Sequence, residues 1–114
     1  MDECLFCKIE RDEIPSEKVY YDKQLFAIKD INPQAPTHIL IIPKKHFATI
    51  LEIETGDQNL IGSVYTVGNK LAQELGLAPS GFRVVLNCGS GGGQTVFHVH
   101  FHLLGGRAMT WPPG

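Results

Sequence analysis

Phe97-His98-Val99-His100-Phe101-His102-Leu103-Leu104 reads as a β-strand, because aromatic and β-branched residues dominate it. Gly91-Gly92-Gly93 precedes the run and Gly105-Gly106 follows it. Side chains alternate along a strand, so His98, His100 and His102 would project to one face. Phe97, Val99, Phe101 and Leu103 would project to the other and form a core. With ~3.3 Å of rise per residue, neighbouring imidazoles would stand roughly 7 Å apart. The chain has only 5 histidines, and three of them fall here, which points to a shared polar site.

Working outward, Lys18 to Tyr21 and Leu25 to Lys29 read as a hairpin around Asp22-Lys23-Gln24. Asn32-Pro33 and Ala35-Pro36 mark a rigid loop. His38 to Ile42 is a continuous apolar run, suited to a buried central strand and stopped by Pro43. From Asp57 to Leu75 the residues Leu60, Val64, Val67, Leu71 and Leu75 recur at helical spacing, with Gly76 as the cap. Gly68 within that helix costs ~1 kcal/mol relative to Ala and would permit close packing. Phe82 to Cys88 reads as a further strand, and residues 4–13 as a turn or short helix ended before Pro15. Five strands and one long helix in this order predict an α+β fold, a five-stranded antiparallel sheet with the helix across one face. No repeat, low-complexity tract or linker interrupts the chain, so residues 1–114 are expected to form one domain.

A chain of 114 residues buries about two-thirds of its unfolded surface, enough for a core without disulfides. The 3 cysteines also argue against a fully paired disulfide framework. Lys and Arg number 10 against 12 Asp and Glu, with no basic stripe for tracking nucleic acid. A few placed donors could still hold a phosphate-bearing small ligand. No apolar stretch approaches a membrane span, and Met1-Asp2-Glu3 is acidic rather than signal-like, so a cytoplasmic protein is expected.

Three alternating histidines could be metal ligands, yet the outer pair on a straight strand would lie on the order of 13 Å apart, too far to share one ion. An imidazole acting directly as nucleophile needs no metal. It is neutral near pH 7 and can leave again once phosphorylated or nucleotidylated. His100, flanked on its own face, is the best placed. The loop Gly89-Ser90-Gly91-Gly92-Gly93-Gln94-Thr95 has the composition of an anion cradle and abuts the triad. Cys4-Leu5-Phe6-Cys7 is by spacing either half a zinc site or a dithiol. Cys88 reads as a small hydrophobe within its strand.

The His-φ-His-φ-His-φ-φ pattern, with φ apolar, resembles the histidine triad family of nucleotide hydrolases and transferases. Asp30-Ile31-Asn32-Pro33-Gln34-Ala35-Pro36-Thr37-His38, Pro43-Lys44-Lys45-His46, Gly92-Gly93-Gln94-Thr95 and Trp111-Pro112-Pro113-Gly114 are similar to its nucleotide-binding, purine nucleoside phosphoramidase branch. The likeness covers essentially the whole chain. It implies a homodimer with a continuous ten-stranded sheet. It also implies that His100 attacks the α-phosphorus of a nucleotide, forming a nucleotidyl-histidine that water hydrolyses. By the same match His102 would contact phosphate oxygens and His38 would support the nucleophile. Asn87, Gly93, Gln94 and Thr95 would hold the phosphate or leaving group, with threonine standing where many relatives carry serine. Asp30 would bind ribose hydroxyls, while Phe6, Ile9, Phe26 and Ile31 could line a base pocket. Some members pair an N-terminal Cys-x-x-Cys with two histidines, which implies one structural zinc per chain on Cys4, Cys7, His46 and His98. A dinucleoside polyphosphate hydrolase and a nucleotide-binding adaptor with vestigial catalysis are the competing readings. A uridylyltransferase is disfavoured by His102, where such enzymes usually carry glutamine.

Overall fold

Asp22 folds the hairpin by accepting the backbone N–H groups of Gln24 and Leu25 at 2.7 and 2.8 Å, an Asx turn between β1 (Lys18–Tyr21) and β2 (Leu25–Lys29). The computed structural model describes residues 4–114, so the acidic start Met1-Asp2-Glu3 lies outside the described residues. After β2 come β3 (Thr37–Pro43), the long helix, β4 (Phe82–Leu86) and β5 (Phe101–Gly105). The strands form one antiparallel sheet in the order β1-β2-β3-β5-β4. A short helix α1 (Leu5–Glu10) precedes the hairpin, and α2 (Gln58–Glu74) is the long helix. No described helix is long and apolar enough to cross a membrane.

Alternation along the strands gives the sheet two apolar faces. Leu25, Ala27, Ile39, Ile41, Phe101 and Leu103 meet Val64, Val67 and Leu71 of α2 on one side. A Cβ at Gly68 would stand 3.4 Å from Ile41 Cδ1, so glycine lets the helix sit this close to the sheet. Gly76 takes the left-handed φ of 75° just beyond the helix. Leu75 departs from the expected buried stripe and is 44% exposed, because the helix ends at its capping position. On the opposite face, Phe26, Ile28, Leu40 and Ile42 pack against Phe6 and Ile9 of α1. The histidine side of the sheet therefore has an apolar floor of its own.

The strand read from Phe97 to Leu104 is only half in the ladder. β5 begins at Phe101, which pairs with Ile41 of β3 and Leu86 of β4. Continuing that register would set Val99 against Pro43, which has no N–H to give. The Val99 N–H instead donates to the Phe47 carbonyl at 2.8 Å. The backbone bends at Phe97 and His98, yet the alternation persists, with Val99 in the α2-side core and His98 and His100 opposite. Phe97 does not join the core and is 48% exposed. Cys88 also departs from the expected strand: β4 ends at Leu86, and the thiol is half-buried beyond it.

Candidate functional site

The backbone fixes the tautomer of each histidine, with the proton on Nδ1 in His100 and on Nε2 in His98, His38 and His102. His100 Nδ1–H donates to the His98 carbonyl at 2.8 Å, so the lone pair is on Nε2. His98 Nε2–H donates to the Pro43 carbonyl at 2.7 Å, which leaves its Nδ1 as the free acceptor. At His38 the order is set from outside, because the Gln34 N–H donates to Nδ1 at 3.0 Å. His38 Nε2–H is then the donor to His102 Nδ1 at 2.8 Å, and the His102 proton sits on Nε2. His38 thus braces His102 rather than His100.

All four are held neutral below the usual imidazole range. Burial is the chief cause for His38, His98, His100 and His102, since taking a cation out of water is costly. His102 is pushed down to about 4, with His100 and His38 adding to the burial. The Asp30 carboxylate works in the other direction on His38, His100 and His102. Its Oδ2 lies 3.4 Å from His38 Nε2, and its Oδ1 accepts the Asn32 N–H at 2.7 Å.

A cavity of about 270 Å³ opens beside His100 and His102. Phe6, Ile9 and Ile31 give it apolar walls, and Asp30 and Thr95 add polar groups to its lining. Phe26 is not part of it: that side chain is fully buried in the floor below. Phe6 packs edge-on against the His100 ring, centroids 5.0 Å apart. Asn87 lies on the other side of His102, in a second cleft, and its Nδ2 reaches the Gly93 carbonyl at 3.5 Å. Gly93 has the left-handed φ of 90°, and a Cβ there would stand 3.6 Å from Asn87 Nδ2.

Gln94 departs from its expected role. Its amide is buried and wholly engaged with the backbone: Oε1 accepts the Gly89 N–H, and Nε2 donates to the Ala48 and Val96 carbonyls. The side chain pins the glycine loop and does not reach the cavity. Composition could not distinguish a glutamine that touches ligand from one that ties the loop.

A second cluster lies behind His98. Its Nδ1 is 3.0 Å from His46 Nδ1, 3.2 Å from Cys4 Sγ and 3.6 Å from Cys7 Sγ. Cys7 Sγ is also 3.6 Å from His46 Nδ1, and all four donor atoms lie within 4.8 Å of one another. A tetrahedral zinc with bonds of ~2.1 Å to nitrogen and ~2.3 Å to sulfur sets its ligands roughly 3.3–3.8 Å apart. The donor set therefore fits a metal ion in a closed, four-ligand arrangement. Burial and the neighbouring Cys4 push the Cys7 thiol up to about 11, an unfavourable setting for a bare thiolate that a central cation would reverse.

An imidazole with a directed lone pair thus stands at an apolar cavity with a carboxylate in its lining. A profile of the HIT domain family matches residues 11–109, and the chain belongs to that family. It is 45% identical over 108 residues to the purine nucleoside phosphoramidase of Escherichia coli K12, covering 95% of this chain and 91% of that protein. An uncharacterized HIT-like protein of Synechococcus elongatus is 47% identical over 113 residues, 99% of this chain and 98% of that protein. The crystal structure of a HIT family hydrolase from Legionella pneumophila Philadelphia 1 is 56% identical, with a TM-score of 0.97 over 98% of this chain and 100% of that one.

Proposed function

We propose that this protein hydrolyses a phosphorus–nitrogen bond at the 5′-phosphate of a purine nucleoside, with His100 as the nucleophile. The observation that carries the reading is the directed Nε2 lone pair of His100 beside a nucleoside-sized cavity, its Nδ1–H spent on the His98 carbonyl. Nε2 attacks the phosphorus, the P–N bond breaks, and its electron pair leaves on the amine nitrogen, which takes a proton from solvent. Water then adds to the same phosphorus, returning the lone pair to Nε2 and releasing the nucleoside monophosphate. His102 Nε2–H donates to a phosphate oxygen as charge builds up, held in that tautomer by His38. The Thr95 hydroxyl, the Asn87 amide and the backbone of Gly93 hold the remaining oxygens. Asp30 accepts the ribose hydroxyls, and Phe6 and Ile31 enclose the base. Zinc on Cys4, Cys7, His46 and His98 is the ion we infer for the second cluster, as a structural group.

The test compares adenosine phosphoramidate with diadenosine polyphosphates, with and without chelator. Phosphoramidate turnover is expected to dominate and to survive brief chelation. In His100→Ala turnover should fall by roughly three or more orders of magnitude with nucleotide binding largely kept, as when a nucleophile is removed. An acid-labile nucleotide adduct should map to His100, and an adduct on another residue would overturn the mechanism. A homodimer completed by edge-strand pairing is also proposed. Sedimentation at about twice 12.6 kDa would support it, and a monomer at micromolar concentration would refute it.

A further inference from the structure

Helix α1 has 6 residues, too few to be stable alone, so its position depends on what its side chains touch. Phe6 and Ile9 rest on the floor made by Phe26, Ile28, Leu40 and Ile42. Cys4 and Cys7 reach instead to His46 and His98. Cys4 caps the helix, its Sγ accepting the Cys7 N–H at 3.4 Å. The two sulfurs lie within 4.8 Å of each other across the first turn, and neither is in a disulfide. Cys-x-x-Cys is a spacing that closes into a disulfide and reopens. Cys4 is half-buried and Cys7 buried, so Cys4 is the thiol that a solute meets first. Phe6, between them in the chain, stands edge-on to the His98 and His100 rings, with centroids 6.0 and 5.0 Å away. Phe6 and Ile9 also line the nucleoside cavity. The same short helix thus carries both thiols and part of the cavity wall.

We propose that Cys4 and Cys7 form a thiol–disulfide switch on nucleotide binding, closed by a peroxide. The Cys4 thiolate attacks one oxygen of hydrogen peroxide, the O–O bond breaks, and hydroxide leaves, giving the Cys4 sulfenic acid. The Cys7 thiolate then attacks the Cys4 sulfur, the S–S bond forms, and a second hydroxide leaves. Each hydroxide takes a proton from solvent. Two thiolates, two protons and one peroxide thus become a disulfide and two waters, the sulfurs oxidised and the peroxide oxygens reduced. A thiol reductant reopens the bridge. Once closed, it leaves two histidines where four donors stood, too few for a closed zinc site. Helix α1 then keeps only its apolar contacts, and Phe6 is free to shift from the cavity wall. The inference rests on the readings above at separate points: the bridge needs only the two thiols, ion release needs the zinc, and the change in binding needs a nucleotide in the cavity.

The experiment treats wild type and Cys88→Ser, which retains only the pair, with a small excess of hydrogen peroxide. Alkylation and mass spectrometry read the thiols, a chromogenic chelator reads released zinc, and calorimetry reads binding of adenosine 5′-monophosphate. Hydrogen exchange over Leu5–Glu10 follows the helix directly. A Cys4–Cys7 peptide lighter by two hydrogens is expected, with close to one zinc freed per chain and faster exchange in α1. The Kd for the nucleotide should rise tenfold or more, and dithiothreitol with added zinc should restore it. Cys4→Ser, which cannot bridge, should keep its starting Kd through the same treatment. Cys4 and Cys7 both still open to alkylation after peroxide, or a bridge with unchanged Kd, would overturn the switch. A bridge with weakened binding and no zinc at any stage would keep the switch and sink the zinc ligand set. Protein that binds no nucleotide before oxidation would sink the hydrolase reading and, with it, a switch on nucleotide binding; faster exchange in α1 on bridging would then still mark the pair as what holds the helix.

Discussion

Replacing Gln94 with Met keeps the length of the side chain and removes all three hydrogen bonds of the buried amide, at 2.9, 2.7 and 3.1 Å. Each is worth about 1 kcal/mol net, so their loss should cost about 3 kcal/mol, and the Gly89 N–H and Ala48 carbonyl left without partners push the figure upward. For 114 residues, the entropy of unfolding near the midpoint is about 0.24 kcal/mol/K. A loss of that size corresponds to a midpoint about 12 °C lower. Circular dichroism melts of wild type and Gln94→Met give the midpoint, and kinetics run about 20 °C below the variant's midpoint keep the fold intact during the assay. The expected outcome is a large drop in midpoint, with turnover affected only through the loosened Gly89–Gly93 loop. A midpoint within about 2 °C of wild type, together with a raised KM for adenosine phosphoramidate, would refute the reasoning and put the amide on the substrate.

Protein purified without added metal should carry close to one zinc per chain, and Cys4→Ala/Cys7→Ala should lose it and melt at a lower temperature; full metal content in that variant would refute the ligand set. Stability should fall with acid in a particular window. The folded pKa of His102, about 4, lies below its ordinary 6.5, so the unfolded chain binds the proton first. The contribution is complete above pH 6.5, declines as pH falls to about 4 and is level below that. Its upper bound is about 3 kcal/mol for His102, less its partial exposure, with His38, His98 and His100 adding in the same sense. Denaturant melts of wild type and His102→Gln across pH 4–7 should show a shallower slope in the variant, and identical slopes would count against it.

The hairpin and the central strand were legible because turn chemistry and apolar runs are local signals. Asp22 between two β-rich stretches makes β1 and β2, and Pro43 closes β3. The long helix followed from its apolar spacing to within one residue at either end, since Leu60 to Leu71 repeat the helical period over three turns. Less legible was anything decided by distant partners. Pro43 ends the pairing that Val99 would have joined, so the first half of the triad run leaves the ladder even though its composition is strand-like. Phe97 is exposed, in the bend that precedes the paired part of the run. The apolar floor beneath the histidines needs α1 to fold back over Phe26 and Leu40, a contact that no local periodicity announces.

The triad pattern pointed to residues that the fold brings together, and it concealed how they differ. Three identical side chains at alternate positions on one face look chemically equivalent, and a neutral imidazole offers a proton on either nitrogen. The distinction comes from three backbone groups far apart in sequence or out of the ladder: the Pro43 carbonyl, the His98 carbonyl and the Gln34 N–H acting through His38. The first turns the His98 lone pair toward Cys4, Cys7 and His46, and the second leaves His100 with a free Nε2. The third makes His102 a donor at the same atom. The break in the ladder is part of this arrangement. A paired residue 98 would commit its carbonyl to the neighbouring strand, whereas here it is free to accept from His100 Nδ1, two residues along the same chain. The irregular backbone at Phe97–His100 thus fixes the tautomer on which the proposed attack depends.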